Sequence, residues 1–126
     1  MPVIDQNAIP EVLMRAGVSG KFIVSKDTGS HGLTMLINIV QPGASIPLHR
    51  HTAEESGLVI EGEIWARIGD QQYIVTPHEV VVFPPTVPHA WGNAGPDVAR
   101  VVWTWNSNAP FSDSVYLEGL PPKDSP

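Results

Sequence analysis

The 126-residue chain contains no cysteine. That excludes thiolate metal ligands, cysteine nucleophiles, redox dithiols and disulfide staples. Positive charge is scarce: seven Lys and Arg stand against thirteen Asp and Glu, for a formal net charge of -6. The seven are scattered, which argues against nucleic acid or an anionic membrane surface as a partner. No apolar run reaches the ~18 residues needed to cross a bilayer. The opening MPVIDQNAIPEVLMRAG has no basic segment followed by an apolar one, so no secretion signal is expected. A cytoplasmic location is the expectation. A nucleophile elbow GxSxG and a phosphate-cradling glycine loop are also missing.

What the chain has is punctuation and enough apolar residues for a core. Eleven Gly and thirteen Pro divide a sequence that is 42% hydrophobic, and the pieces between them are rich in β-branched and aromatic residues. Strands are predicted over 21–25, 33–40, 56–61, 63–69, 71–76, 79–83, 90–93 and 98–106. This spacing is that of an all-β sandwich or barrel. Residues 9–16 hint at a short helix, limited by Pro10 and Gly17. Gly69-Asp70 reads as a tight hairpin. Within 33–40, Leu33, Met35, Ile37 and Ile39 share one side, and Thr34, Leu36, Asn38 and Val40 the other. Both sides are fairly apolar, as expected where one lines a cavity and the other packs on a further layer. The expected organisation is an N-terminal arm over 1–30, a barrel over 31–110 and a tail over 111–126, with a frayed end at 121–126.

The stretch from Gly43 to Gly62 carries the chemistry. His49 and His51 lie two apart, so on an extended strand their imidazoles face the same way. Glu55 has the same odd parity, and its carboxylate turns to the same interior if the strand resumes after a short bend. Glu54 has the opposite parity and is the weaker candidate. Two imidazoles and a carboxylate with open positions suit Fe(II), Mn(II) and similar ions. A fourth ligand must come from a distant strand, and His89 supplies it. It follows the proline-stiffened turn Phe83-Pro84-Pro85-Thr86-Val87-Pro88, which leaves it little freedom.

At these residues the chain resembles the cupins, small double-stranded β-helix (jelly-roll) barrels of two antiparallel sheets. Gly43, His49, His51, Glu55 and Gly62 fill every fixed position of the first cupin motif, G-x5-H-x-H-x3-E-x6-G. Pro84, His89 and Asn93 match the second, G-x5-P-x-G-x2-H-x3-N, across a fifteen-residue connection. His78 and Thr86 stand where that motif has glycines, which implies a different turn geometry there. The resemblance covers about residues 33–106. It implies one divalent metal on His49, His51, Glu55 and His89, with Fe(II) or Mn(II) favoured and Ni, Cu or Zn possible.

The remaining candidates each have two readings. Trp91 follows His89 by two and shares its face, and Trp103 and Trp105 share a face with one another. These rings either fill the barrel or a dimer interface, or they wall an apolar substrate pocket above the metal. Trp65 lies on a predicted strand. Arg50, between two ligands, should point outward. Arg67 and Arg100 are either solvated or anchors for a substrate carboxylate. His31 and His78 read as surface residues.

The resemblance implies many activities: dioxygenases, isomerases, decarboxylases, lyases, polyketide cyclases and non-enzymatic sensors. A metal-dependent oxygenase acting on a small aromatic or enolisable organic substrate is the first expectation, with Glu55 as catalytic base. A metal-dependent isomerase, lyase or cyclase is the second. The tyrosine that serves some lyase-type relatives as base has no counterpart at Ser56 or Gly57. A non-enzymatic binding module is the third, and the absence of DNA-binding helices weighs against a fused transcriptional sensor. Apolar Val3, Ile4, Ile9, Val12, Leu13 and Met14 are too many for a solvated arm, so they cover this barrel or a partner's. A homodimer is expected.

Overall fold

A computed structural model describes residues 3–121, so most of the tail 121–126 lies outside the described residues. Among the described residues eleven strands follow in chain order: β1 Val12–Arg15, β2 Val18–Val24, β3 Thr34–Val40, β4 Ser45–Arg50, β5 Glu55–Glu61, β6 Ile64–Ile68, β7 Gln71–Val75, β8 Val80–Phe83, β9 His89–Asn93, β10 Ala99–Trp105 and β11 Val115–Tyr116. Two single turns of 3-10 helix, Gln6–Ala8 and Lys26–Thr28, are the helical elements among the described residues. Among the described residues no helix is long and apolar enough to cross a membrane.

The strands form two antiparallel sheets, ordered β1-β2-β3-β10-β5-β8 and β11-β4-β9-β6-β7. Their inner faces meet in one core, as the alternation along the central strands requires. On β10, Ala99, Val101, Trp103 and Trp105 point inward. On β3 the inward set is Thr34, Leu36, Asn38 and Val40, while Ile37 and Ile39 are half-covered on the outer face. Trp103 and Phe83 are almost wholly buried. Rings of this kind bury about 150–250 Å² each. At ~25 cal/mol per Å² that is about 4–6 kcal/mol apiece before entropy is subtracted.

The predicted strands form, and three more appear where none was predicted. Residues 9–16 are not helical. Pairing of Leu13 with Ser19 makes a β-hairpin, and Met14 joins the core, so tertiary pairing overrides the local periodicity. The register slips between Leu13 and Arg15, and this bulge bends the strand at its inner end. β4 was hidden by Pro47. The β4–β9 register also slips between Ile46 and His49, and such a slip accommodates a proline, which cannot donate to the ladder. The two residues of β11 are too few to leave a pattern. Gly69-Asp70 makes the two-residue turn between Ile68 and Gln71, with Gly69 at φ 59°.

The expectation of altered turns at His78 and Thr86 is corrected. Both keep the left-handed backbone that glycine would supply, at φ 74° and 67°, and they are the two non-glycine residues with positive φ among those described. Histidine tolerates this region, whereas a β-branched threonine is strained there. The turn is held in spite of the strain because the Thr86 N–H donates to the His51 carbonyl at 2.8 Å. Such strain costs about 1–3 kcal/mol, against about 0.5–1 kcal/mol for the added freedom of a glycine. Thr86→Gly is therefore expected to raise the urea midpoint, by an amount equivalent to about 1 kcal/mol. An unchanged or lower midpoint would refute the strain.

Candidate metal centre

The site lies between the two sheets, where each ligand has its own local support. His49, on β4, pairs across to His89 on β9. Glu55 opens β5 and sits between Phe83 on β8 and Trp105 on β10. His51 lies in the bend joining β4 to β5. His49, His51, Glu55 and His89 are all buried, with ligand atoms within 4.8 Å of one another. Donors around one ion at about 2.1 Å are separated by roughly 3–4 Å, so closure of the widest pair by about 1 Å, within reach of small side-chain rotations, would complete the set.

Ring orientation tests whether an ion fits. His49 Nδ1 lies 2.8 Å from the Pro47 carbonyl, His51 Nδ1 2.9 Å from that of Ala53, and His89 Nδ1 3.0 Å from that of Val87. A carbonyl oxygen only accepts, so each Nδ1 must carry the proton. In the neutral rings all three Nε2 lone pairs are then left for an ion, the arrangement typical of histidine ligands. His89 Nε2 has no hydrogen-bond partner and stands 3.3 Å from Glu55 Oε1. Buried nitrogen lone pairs converging on a carboxylate fit a divalent cation. The donor set does not select among Fe, Mn, Ni, Cu and Zn.

Without an ion, protons take its place. Burial disfavours charge on His51, but Glu55 Oε1 at 3.0 Å outweighs it and lifts the pKa above 6.5. Burial, followed by the charge of His89, depresses His49 to about 4. For Glu55, burial pushes upward, yet His51 and His89 more than offset it and hold the carboxyl at about 2. A metal must therefore displace the His51 proton on binding.

Aromatic rings buttress the ligands. His89 stacks on Phe83 at 4.2 Å and Phe83 on Trp103 at 5.4 Å, while His49 stacks on Tyr116 at 4.8 Å. Trp103 covers Gly57, where an added Cβ would fall 2.2 Å from the indole. Only glycine allows that contact. His49 and Glu55 also form part of the wall of a cavity lined by Trp91, Trp103, Trp105 and Phe111. Its free core is about 30 Å³ and rises to about 360 Å³ with the open mouth counted.

The three tryptophans expected near the site are thus brought to one cavity. Glu54 is exposed, as its parity requires. Arg67 and Arg100 point outward, paired with Glu118 at 3.0 Å and Glu61 at 3.1 Å, so neither faces the cavity. Arg50, His31 and His78 are exposed, and Trp65 packs on the outer side against Gly92. Sequence reasoning missed Arg15, Asn38, Phe111 and Tyr116, all of which line the cavity. For Arg15 the signal was hidden by the helical reading of its segment, and for Tyr116 there was none.

Comparison with known proteins follows the same lines. The chain is 30% identical over 101 residues to the HTH-type transcriptional regulator PuuR of Escherichia coli (strain K12), a match covering 79% of this chain and 54% of that protein. It spans about half the length of the curated relatives it matches. Among solved structures it is similar to the polyketide cyclase RemF from Streptomyces resistomycificus, with TM-score 0.82 and 17% identity over 95% of this chain and 87% of that one. It is similar too to an RmlC-like cupin from Shewanella frigidimarina, with TM-score 0.73 and 17% identity over 82% and 87% of the two chains. Residues 36–105, more than half of the chain, match the family model described as Cupin domain. The chain belongs to the cupin family.

Proposed function

We propose that this cupin is a metal-dependent enzyme acting on a small aromatic or enolisable organic compound. The observation that carries the reading is that His49 and Glu55 belong both to the four-residue cluster and to the wall of the aromatic cavity. A substrate in that cavity therefore lies against the metal centre. An Fe(II) or Mn(II) ion held by His49, His51, Glu55 and His89 would supply Lewis acidity and, with dioxygen, redox chemistry. Trp91, Trp103 and Trp105 exclude water and orient a flat substrate. Glu55, the one carboxylate lining the cavity among the described residues, is assigned as the base that takes a proton from the bound compound.

Two reaction classes share this arrangement. Oxygenation remains the first reading, and non-oxidative cyclase or isomerase chemistry is the alternative, supported by the likeness to RemF. Oxygen uptake by metal-loaded protein on aromatic and diketone compounds separates them. Glu55→Gln should abolish turnover while lowering metal content less, and equal loss of both would confine Glu55 to a ligand role. A second, non-enzymatic reading takes support from the likeness to PuuR: a domain that binds a small molecule without converting it. Binding without turnover of any compound in that screen would establish it.

For a partner, we assign a second copy of the chain. Leu58, Ile60, Val80 and Val82 are exposed on β5 and the edge strand β8, where Leu58 pairs with Val80, and contiguous apolar surface of this kind favours association. A light-scattering mass near 13.6 kDa at micromolar concentration would reject the homodimer.

A further inference from the structure

Arg15 is the cation that reaches the cavity, and the fold meets its charge only in part, through Tyr116. Alternation along β1 would turn Met14 and Arg15 to opposite faces. The register slip between Leu13 and Arg15 breaks that alternation, so both side chains line the cavity while Leu13 is exposed. The Arg15 Nε and one Nη are buried without a hydrogen-bond partner, and no carboxylate among the described residues pairs with the guanidinium. Its Cζ lies 5.9 Å from the centre of the Tyr116 ring, which in turn stacks on the ligand His49. The guanidinium is half-buried and Tyr116 meets part of its charge, but its two buried N–H groups remain without an acceptor, which is costly unless something else completes them.

The other unpaired groups point to the same kind of completion. Six buried side-chain polar atoms lack a partner among the described residues. Four are N–H donors on residues lining this one cavity: Arg15 Nε and Nη, Trp103 Nε1 and Trp105 Nε1. Residues of the cavity wall thus carry four unpartnered donors, two of them on the Arg15 guanidinium, while the acceptors on that wall, the Glu55 carboxylate and His49 Nε2, belong to the metal-binding cluster. The complementary ligand brings acceptors and negative charge on a flat frame, because the narrow core admits an edge rather than a bulky group.

We propose that Arg15 anchors the substrate by binding an anionic oxygen on a planar conjugated organic anion, an arylcarboxylate or a phenolate-type enolate. This rests on the reading of the cavity as the substrate site and adds the charge of the substrate and the residue that selects it. Arg15 is a binding residue. Its fork-shaped guanidinium suits two oxygens of a carboxylate, and a phenolate oxygen engages one arm of it.

The test is ligand binding followed by tryptophan fluorescence and calorimetry, on metal-free and Mn(II)-loaded protein. The probes are benzoate against neutral benzamide, and 4-nitrophenolate at mildly alkaline pH against nitrobenzene. Wild-type protein is expected to prefer the anion of at least one pair, and which pair it prefers identifies the source of the oxygen. Arg15→Gln should weaken that anion about tenfold or more, leave its neutral partner unchanged and melt no lower than wild type. Arg15→Lys should retain part of the preference. Equal binding of anion and neutral analogue by wild type, or undiminished anion binding by Arg15→Gln, would overturn the assignment. So would a large fall in melting temperature for Arg15→Gln, which would make Arg15 a structural residue. The metal reading fails separately: anion binding that depends on Arg15 but is the same with and without Mn(II) supports the anchor and counts against contact with the metal.

Discussion

Replacing His89 by alanine is expected to leave the protein without its metal. The other three ligands come from residues 49–55, the end of β4, the bend after it and the first residue of β5, and His89 is the ligand supplied by the distant strand β9. Loss of a residue that merely orients a ligand costs 10–100-fold in affinity as a rule, so loss of the ligand itself should exceed about 100-fold. Elemental analysis of protein purified anaerobically reads the result directly, and the shift in melting temperature on adding Mn(II) reads it independently. His89→Gln keeps much of the volume against Phe83 and serves as the variant in which stability is least disturbed. Wild-type metal content in both variants would remove His89 from the site, and the metal centre with it.

The second large effect is expected in the pH dependence of the metal-free protein. His49 is held neutral down to about pH 4, whereas the unfolded chain takes up the same proton near 6.5. The unfolded state therefore binds more protons throughout that interval, and stability falls as pH drops through it, by about 3 kcal/mol for a shift of this size. Glu55 acts lower down. Its contribution is present above 4.5 and disappears as pH falls toward about 2. His51 has the opposite sign: its raised pKa contributes stability that is complete below 6.5 and is lost as pH climbs past the raised value. Metal binding removes the His51 proton and so abolishes the alkaline loss. Urea unfolding across pH, with and without Mn(II), should show a maximum near neutrality without metal and a flatter alkaline side with it. A metal-free protein equally stable at pH 6.5 and 4 would contradict the depressed pKa of His49.

The ligand set could be read from the sequence because its geometry is built from short-range parity. His49 and His51 differ by two, Glu55 restarts a strand in phase with them, and His89 follows a turn stiffened by three prolines. Such facts survive without knowledge of the partner strands. Arg15 could not be read in this way, since its direction is set by a bulge that exists only once β1 has paired with β2. Pro47 concealed β4 for a related reason: a local penalty is relieved by a register slip against β9 that no single segment reveals. The left-handed turn at Thr86 shows the converse, a backbone shape imposed by the surrounding structure on a residue that disfavours it.

The three carbonyls that fix the histidine tautomers belong to Pro47, Ala53 and Val87, each two positions from the ring it steers. Each coordinating group thus carries its own alignment device within three consecutive residues. Substitutions elsewhere in the barrel can change the cavity's shape, its charge or its outer surface while the coordinating nitrogens stay aimed at a common point. Away from Phe83, Trp103 and Tyr116, which press on the histidine rings, the walls can change without a compensating change in these three devices.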